Sequence, residues 1–504
     1  MSESMEEEWW VTKLKELESK PKRLETLTEM NSVINKAVGL PRNILERVLC
    51  APALYECATV ESGKEPLINM TNDFIHTCLE QLELDTCDEQ LPLLLSRSLT
   101  HPNPALRAIV LDALLKKLRR QTTACEMQPL PSNELLYYVL DELKQPETHS
   151  GVSALSILSI VLTQRLNDPG IQARLMTLLK QNEVIRCRAY ELGVMLAKRS
   201  AAALSSVEFI LDAAISELDN DDVLLQASVM EILVPLAEQN HGLSYMERRH
   251  VLDVISNRVQ QIEQNPLDLL LVPSIMKFFG KIAAVQPQKI ISGYPQMLTC
   301  LFELLQSGDE SVLPTALDTL TNLASTLQGK TLLHTDFEPA MQQLFEKYAD
   351  YTKVLSPPLK IRILNSLDLV FAVELPLTGL HNGILKRWYE YFAGGQQVDR
   401  LMDLCRTPFP DLQLAALSLL KTLCQYIWGI VALRRTAGAI EFLLSRQRDQ
   451  HKDVKFLKWQ IMEVLAVSDG FSATEIVRFT AYVNEGPYYM QSDVSLATEP
   501  QGNQ

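Results

Sequence analysis

The chain has 504 residues and a formal net charge of -15, and 47% of its residues are hydrophobic. The apolar content is sufficient for a large buried core, whereas the acidic balance argues against a protein that binds nucleic acid or an acidic membrane surface. The chain has nine cysteines but no CxxC pair, which predicts free thiols in a reducing compartment. Its amino terminus is acidic and lacks a signal-peptide pattern. We therefore expect a cytoplasmic protein, and a nuclear location is also compatible with the sequence.

The first elements are two predicted helices rich in Glu and Lys. Trp9, Leu14 and Leu17 begin the first, Pro21 interrupts it, and a stop signal at 39–41 ends the second. From there the chain alternates between helical patterns and short turns, with almost no strand-like alternation. The longest apolar run is too short to cross a bilayer, which needs about 20 residues.

The clearest amphipathic helix is predicted over residues 182–198. One face carries apolar residues at the i, i+4, i+7, i+11 spacing of such a helix: Ile185, Ala189, Leu192 and Leu196. The opposite face carries Arg188, Glu191 and Lys198.

Helices of this kind recur about every 40–47 residues, which is the period of armadillo and HEAT units. Equivalent mid-helix positions are Asp73, Asp112, Ser156, Glu191, Glu231, Lys277, Asp318, Asn365, Ser418 and Gln460. The pattern predicts an all-α protein, a HEAT/armadillo-like α-solenoid superhelix of about ten helical repeats over residues 1–490. The second helix of each pair would line a concave groove. Residues 491–504 lack periodicity, and we expect them to be a disordered tail.

Gly329, Lys330 and Thr331 are similar to the end of a phosphate-binding loop. The position of that loop's first glycine is Ala324, inside a predicted helix. We therefore interpret Gly329 as a helix C-cap followed by a surface lysine, and predict no nucleotide site.

Asp219, Asp221 and Asp222 have the spacing of calcium ligands. The loop lacks the central glycine and has Met230 at its twelfth position, so we interpret it as a helix-capping turn. No histidine and cysteine set has metal-ligand spacing, and no GxSxG or HExxH motif is present. We therefore predict a protein that is not an enzyme, without a cofactor or a metal.

A binding function fits the sequence better than catalysis. On the predicted helix 273–285, Ile275, Phe279 and Ile282 share one side, and Lys277, Gly280 and Lys281 share the other. Our candidate partner-binding residues on the second helices are Arg188, Glu191, Lys198, Lys277 and Lys281. The alternative is a solvated face with ordinary i,i+4 ion pairs.

Tyr488 and Tyr489 follow Gly-Pro near the end of the chain. They are expected to cover the apolar end of the last repeat, or alternatively to anchor a partner.

Several stretches carry a family likeness. They are NEVIRCRAYEL at Asn182, IMKFFGKIAAVQPQKI followed by GYPQMLTCLFELL from Ile275 to Leu305, FPDLQLAALSLL at Phe409 and YVNEGPYY at Tyr482. In this order they resemble the 26S proteasome non-ATPase regulatory subunit 5 family. The likeness runs from about Asn182 to Tyr489, and residues 1–100 match it only weakly.

The resemblance implies a solenoid that acts as an assembly chaperone for the base of the proteasome regulatory particle. Such proteins bind the C-terminal domain of an AAA+ ATPase subunit, hold an early module of base subunits and leave before the complex is complete. We expect the isolated chain to be a monomer.

Two other binding functions are compatible with a helical repeat protein. An armadillo-type transport adaptor would need regularly placed Trp and Asn along its groove, and the five tryptophans show no such ladder. A phosphatase-type scaffold stays open from the sequence.

Overall fold

The computed structural model describes ten stretches of the chain. They are residues 3–36, 39–59, 65–82, 91–123, 132–145, 148–260, 266–372, 377–395, 398–446 and 451–489. All regular secondary structure in these stretches is helical. The expected tail, residues 491–504, lies outside them. The chain divides into two compact units, Met1–Val251 and Leu252–Gln504, which together span the repeat region predicted over 1–490.

In its described stretches the first unit consists of helices. Its α-helices are α1 (Glu3–Leu17), α2 (Arg23–Lys36), α3 (Arg42–Leu49), α4 (Pro52–Cys57), α5 (Glu65–Gln81), α6 (Leu91–Leu99), α7 (Pro104–Thr123), α8 (Asn133–Glu142), α9 (Thr148–Val161), α10 (Pro169–Leu178), α11 (Glu183–Ala197), α12 (Ala201–Ser216), α13 (Val223–Leu233) and α14 (Asn240–Arg248). Its 3-10 segments are Lys20–Lys22, Leu162–Gln164, Glu217–Asp219 and Val234–Glu238.

The second unit continues the same plan. Its α-helices are α15 (Val251–Gln260), which begins one residue before the boundary, α16 (Val272–Val285), α17 (Pro287–Gly293), α18 (Pro295–Ser307), α19 (Leu313–Leu323), α20 (Leu327–Val354), α21 (Pro357–Phe371), α22 (Gly379–Ala393), α23 (Asp399–Cys405), α24 (Pro410–Leu423), α25 (Ile427–Arg435), α26 (Ala439–Leu444), α27 (Lys452–Ala466) and α28 (Ala473–Asn484). A 3-10 segment, Pro266–Leu271, precedes α16.

The second helices of the repeats stack on one another in sequence order. We call them B helices: α2, α5, α7, α9, α11 and α13 in the first unit, and α16, α19, α21, α24 and α27 in the second. Within each unit every B helix packs against the next. All ten equivalent positions chosen from the sequence lie in B helices. The predicted HEAT/armadillo-like solenoid of about ten repeats is confirmed.

Polar contacts join neighbouring B helices in both units. Ser153 on α9 donates a hydrogen bond to Asp112 on α7 (2.6 Å), and these residues are 41 positions apart. In the second unit, Ser418 on α24 donates to Asp368 on α21 (2.7 Å), across 50 positions. Because each B helix packs against the B helices before and after it within its unit, the repeats depend on one another for stability.

The predicted helix 182–198 has the expected boundaries and the expected core. Asn182 caps it, since its side chain accepts a hydrogen bond from the Ile185 amide (3.1 Å). The predicted apolar stripe is buried, and Leu192 is 0% exposed. Gly193 lies where α12 approaches, because a Cβ atom there would be 2.7 Å from Cγ2 of Ile210.

A recurring hydrogen bond fixes the turns before many helices. In seven helices of the described stretches the fourth residue has a long polar side chain that donates to a backbone carbonyl of the preceding turn or of the end of the preceding helix: Arg107, Gln172, Arg186, Gln226, Lys330, Lys360 and Gln413. The carbonyls at a helix end lack intrahelical partners, so a fixed donor stabilises each corner. We did not predict this hydrogen bond from the sequence, although its signature is a long polar residue three positions after the first residue of a helix.

Candidate partner-binding surfaces

The charged face of α11 lies on the B-helix row of the first unit, where Arg188 is used within the fold. Its guanidinium donates hydrogen bonds to the carbonyl oxygens of Leu143 (3.1 Å) and Gln145, in the turn that follows α8. The same group packs over the amino-terminal turn of α9, since a Cβ atom at Gly151 would be 3.1 Å from its Cζ. Arg188 therefore joins α11 to the preceding repeat.

The other two candidates of this charged face, Glu191 and Lys198, also interact with groups within the fold. Burial raises the pKa of the half-buried Glu191, and the nearby charge of Arg188 opposes this increase. Lys198 forms an ion pair with Glu238, which follows α13, at 2.7 Å. Partner binding by these residues stays a prediction.

Lys277 and Lys281 lie on the exposed side of α16, one helical turn apart. The helix buries Ile275, Phe279 and Ile282, as predicted. Gly280, which the sequence placed beside the lysines on the polar side, is buried instead. A Cβ atom there would be 3.0 Å from Cα of Thr319, so α16 and α19 pack closely through this glycine.

The next two B helices add charge of both signs to this face. Asp318 is the exposed acidic residue of α19, and Arg362 on α21 pairs with it at 3.3 Å. Thr321 on α19 and Ser366 on α21 share a hydrogen bond of 2.7 Å beneath them. Asp318, which occupies the repeat position equivalent to Lys277, is therefore already paired with a cation of the following repeat.

Tyr488 and Tyr489 lie at the opposite end of the second unit, beyond α28. Their side chains are 55% and 45% exposed. The buried residues of the last helix are Phe479 and Tyr482, and both expected roles of the tyrosine pair stay predictions.

Arg446 holds this carboxyl-terminal segment in place. Its guanidinium donates to the carbonyl oxygens of Tyr482 (2.8 Å) and Gly486 (2.7 Å) and pairs with Glu485 (3.2 Å). It also lies 3.8 Å from the ring centroid of Tyr482 and 5.4 Å from that of Tyr489. The tyrosine pair is thus presented on an ordered segment, which is compatible with a contact site.

The interpretation of Gly329 and Lys330 is corrected by the structure. Gly329 lies in the first turn of α20, where its amide donates to the Thr326 side chain (3.0 Å), and it is not a C-cap. A Cβ atom there would be 2.0 Å from the Leu323 carbonyl oxygen, so glycine is required by the sharp turn between α19 and α20. Lys330 is 1% exposed and donates to the Ala324 carbonyl. It therefore belongs to the recurring corner hydrogen bond.

The acidic turn before α13 is a cap, as predicted. Asp222 accepts hydrogen bonds from the amides of Leu224 (2.8 Å) and Leu225 (3.1 Å). Among the described residues no three acidic, histidine or cysteine side chains are grouped as metal ligands. No helix in the same stretches has the length and apolar character that crossing a bilayer requires.

The tryptophans do not form a row on the B helices. Trp388 is buried in α22, and Trp428 in α25 stacks on Tyr426 (4.9 Å between centroids) and donates to Asn382 (2.9 Å). Only Trp459 lies on a B helix of the second unit. The described residues therefore provide little support for the transport-adaptor alternative.

Comparison with known proteins supports the resemblance seen in the sequence. The family model for the proteasome non-ATPase 26S subunit matches residues 6–504, so it includes the first hundred residues that were matched only weakly by inspection. The chain is 62% identical over 503 residues to the 26S proteasome non-ATPase regulatory subunit 5 of Drosophila melanogaster, covering 99% of both chains. It is 27% identical to the Bos taurus protein of the same name, covering 91% of this chain and 94% of that one.

Two solved structures align with about half of this chain. A designed armadillo repeat protein aligns with a TM-score of 0.33 and 15% identity, over 52% of this chain and 98% of its own. An engineered protein aligns with a TM-score of 0.37 and 15% identity, over 50% of this chain and 94% of its own. The match to the family model over nearly the whole chain, together with the full-length relative, shows that this chain belongs to the 26S proteasome non-ATPase regulatory subunit 5 family.

Proposed function

We propose that this chain is an assembly chaperone for the base of the proteasome regulatory particle. It binds the C-terminal domain of an AAA+ ATPase subunit, keeps that subunit and its associated base subunits together, and is released before the 26S proteasome is complete. It acts by binding and not by catalysis, in the cytoplasm and also the nucleus. Family membership over nearly the full length supports the proteasome connection.

The face of α16 that carries Lys277 and Lys281 supports the choice of docking surface. Both side chains are exposed on a helix whose opposite side is buried. The close packing at Gly280 holds α16 against α19, so the lysines project from a rigid wall. Charges fixed in this way raise the association rate and select partners with complementary charge.

The remaining candidates are assigned smaller contributions. Arg188 and Lys198 already have partners within the fold, and Glu191 is half-buried. Tyr488 and Tyr489 are exposed and held in place by Arg446, so they are proposed as a secondary contact at the end of the row.

The docking surface is tested with the double variant Lys277→Glu/Lys281→Glu. We expect it to keep the helicity and melting temperature of the wild type and to bind the ATPase C-terminal domain at least about tenfold more weakly, which corresponds to about 1.4 kcal/mol. Binding is measured by calorimetry at low and moderate salt. The matched control, Lys452→Glu/Lys455→Glu, makes the same charge change on α27, at the far end of the row.

Wild-type affinity of the folded α16 variant at both salt concentrations would exclude this face as the docking site. The chaperone role is tested separately by tagging the chain in cells and separating its complexes on native gels. We expect the tagged protein on partial base complexes and not on complete 26S particles. Stoichiometric recovery with complete, active 26S particles would instead identify a resident subunit.

A further inference from the structure

A groove opens near the carboxyl-terminal end of the second unit, between the end of α24, the start of α25 and the end of α27. Its volume is about 610 Å³. It is lined by Cys424, Gln425, Ile427, Ile430, Val464, Val467, Ser468, Asp469 and Gly470. None of these residues belongs to the charged faces described above.

Two aliphatic side chains project on either side of this groove. Ile427 is 79% exposed and Val467 is 85% exposed, whereas Ile430 between them is buried. Isolated exposed aliphatic residues are common on protein surfaces, but two that line one concave site create an apolar binding surface. Covering both side chains would remove apolar area from water, which favours binding.

The wall of the groove is rigid. A Cβ atom at Gly470 would be 2.5 Å from Cγ2 of Ile430, so the turn after α27 packs directly on α25. Arg434 donates to the Gly470 carbonyl oxygen (2.9 Å) and pairs with Glu475 at the start of α28 (3.6 Å). A site that is already formed loses little conformational entropy when it binds a ligand.

Two carboxylates lie beside the apolar pair, whereas the guanidinium of Arg434 at the same wall is paired with Glu475. Asp469 lines the groove, and Glu463 lies one helical turn before Val467 on the exposed side of α27. Within the described part of the chain neither carboxylate has a cation within ion-pairing distance, whereas Glu475 is paired with Arg434. A ligand that brings a cation beside its apolar contact would therefore be favoured over an anionic one.

We propose that this groove binds a short segment of a partner protein in which one or two aliphatic side chains are followed by Lys or Arg. The aliphatic side chains contact Ile427, Ile430 and Val467, and the basic side chain pairs with Asp469 or Glu463. This specificity is opposite in charge to that of the lysine face on α16. The inference does not depend on the chaperone proposal, since it rests on the groove alone.

The test uses the full chain with ¹³C-labelled Ile and Val methyl groups, followed by NMR. The probe is the peptide acetyl-Leu-Ile-Lys-Lys-amide, and the comparison peptides are acetyl-Leu-Ile-Glu-Glu-amide and acetyl-Gly-Gly-Lys-Lys-amide. We expect the probe to shift the methyl signals of Ile427, Ile430 and Val467 in a saturable manner. Both comparison peptides should bind at least about threefold more weakly, because each lacks one half of the recognised pattern.

Variants separate the apolar contact from the charge contact. Val467→Ser should weaken the probe at least about threefold, while Val477→Ser, an equally conservative change at an exposed valine on α28 outside the groove, should leave affinity unchanged. Asp469→Asn should weaken the probe about twofold and reduce the salt dependence of its affinity. Because all three side chains are exposed, the variants are expected to fold normally.

Three results would overturn the inference. The first is equal affinity for the Lys-Lys and Glu-Glu peptides. The second is a set of methyl shifts that is spread over the chain and does not saturate. The third is concentration-dependent dimerisation that Val467→Ser abolishes. The last would show that the groove is covered by a second copy of this chain and not by a basic segment of a partner.

Discussion

The buried Lys330 leads to a specific prediction about stability and pH. The side chain lies in the first turn of α20, is 1% exposed and donates to the Ala324 carbonyl. Burial lowers its pKa from 10.5 to about 8. The folded protein therefore binds this proton less tightly than the unfolded chain does. Between pH 8 and 10.5 the unfolded state holds more protons, so the free energy of unfolding rises with pH in that window.

The size of the effect follows from the two pKa values. One pKa unit corresponds to about 1.4 kcal/mol, so the full difference is about 3 kcal/mol. Integrating the linkage relation from pH 7 to pH 9.5 gives a gain of about 2 kcal/mol for the wild type. Lys330→Met removes this titration and should abolish that gain. It also leaves the Ala324 carbonyl without its donor, but that cost is the same at each pH and cancels in the comparison.

The assay is urea unfolding followed by far-ultraviolet circular dichroism at pH 7 and pH 9.5. Lys281→Met is the control, because it removes a lysine that is exposed on α16. The difference in unfolding free energy between Lys330→Met and the control should change by about 2 kcal/mol between the two pH values, in the direction of a relatively less stable Lys330→Met at pH 9.5. The same difference at both pH values would refute the assignment of a buried, weakly basic lysine.

Three further predictions follow from the packing of the B helices. Leu192→Ala should lower the free energy of unfolding by about 2–5 kcal/mol, because it leaves a cavity. The control Val184→Ala, on the exposed side of α11, should change this free energy by less than about 0.5 kcal/mol. Both are measured by urea denaturation. Arg188→Ala should lower the free energy of unfolding by about 1–3 kcal/mol, since the carbonyls of Leu143 and Gln145 lose their donor. Amide hydrogen exchange should increase at the end of α8, and unchanged exchange there would contradict this role of Arg188. Gly280→Ala should lower the free energy of unfolding by about 1–3 kcal/mol, because the added Cβ would contact Thr319. The control Gly383→Ala has no atom within 4 Å of the added Cβ, so it should be neutral or stabilising by up to about 1 kcal/mol. Equal melting temperatures for the two variants would show that α16 and α19 can separate freely.

The carboxyl-terminal groove shows how exposure changes the interpretation of ordinary residues. Ile427 and Val467 are spaced 40 positions apart in the sequence, and each fits an apolar helical pattern that is typical of a core. Both lie at helix ends, one starting α25 and one following α27, where the next repeat does not cover them. Their functional interest arises from a packing arrangement that helical periodicity does not specify.

The sequence by itself determined the repeat architecture, because the local rules that set it act within one helix. The 3.6-residue periodicity identified the buried stripe of α11, and short polar residues such as Asn182 and Asp222 marked helix starts through bonds to amides two or three residues away. Only the tertiary structure decided where the longer side chains go. Arg188 reaches carbonyls more than forty positions earlier, and Lys330 turns inward to its own corner. Gly280 is buried because α19 covers it. A helical pattern defines which residues share a face, but which of those faces meets a neighbour, a carbonyl or solvent depends on contacts between repeats.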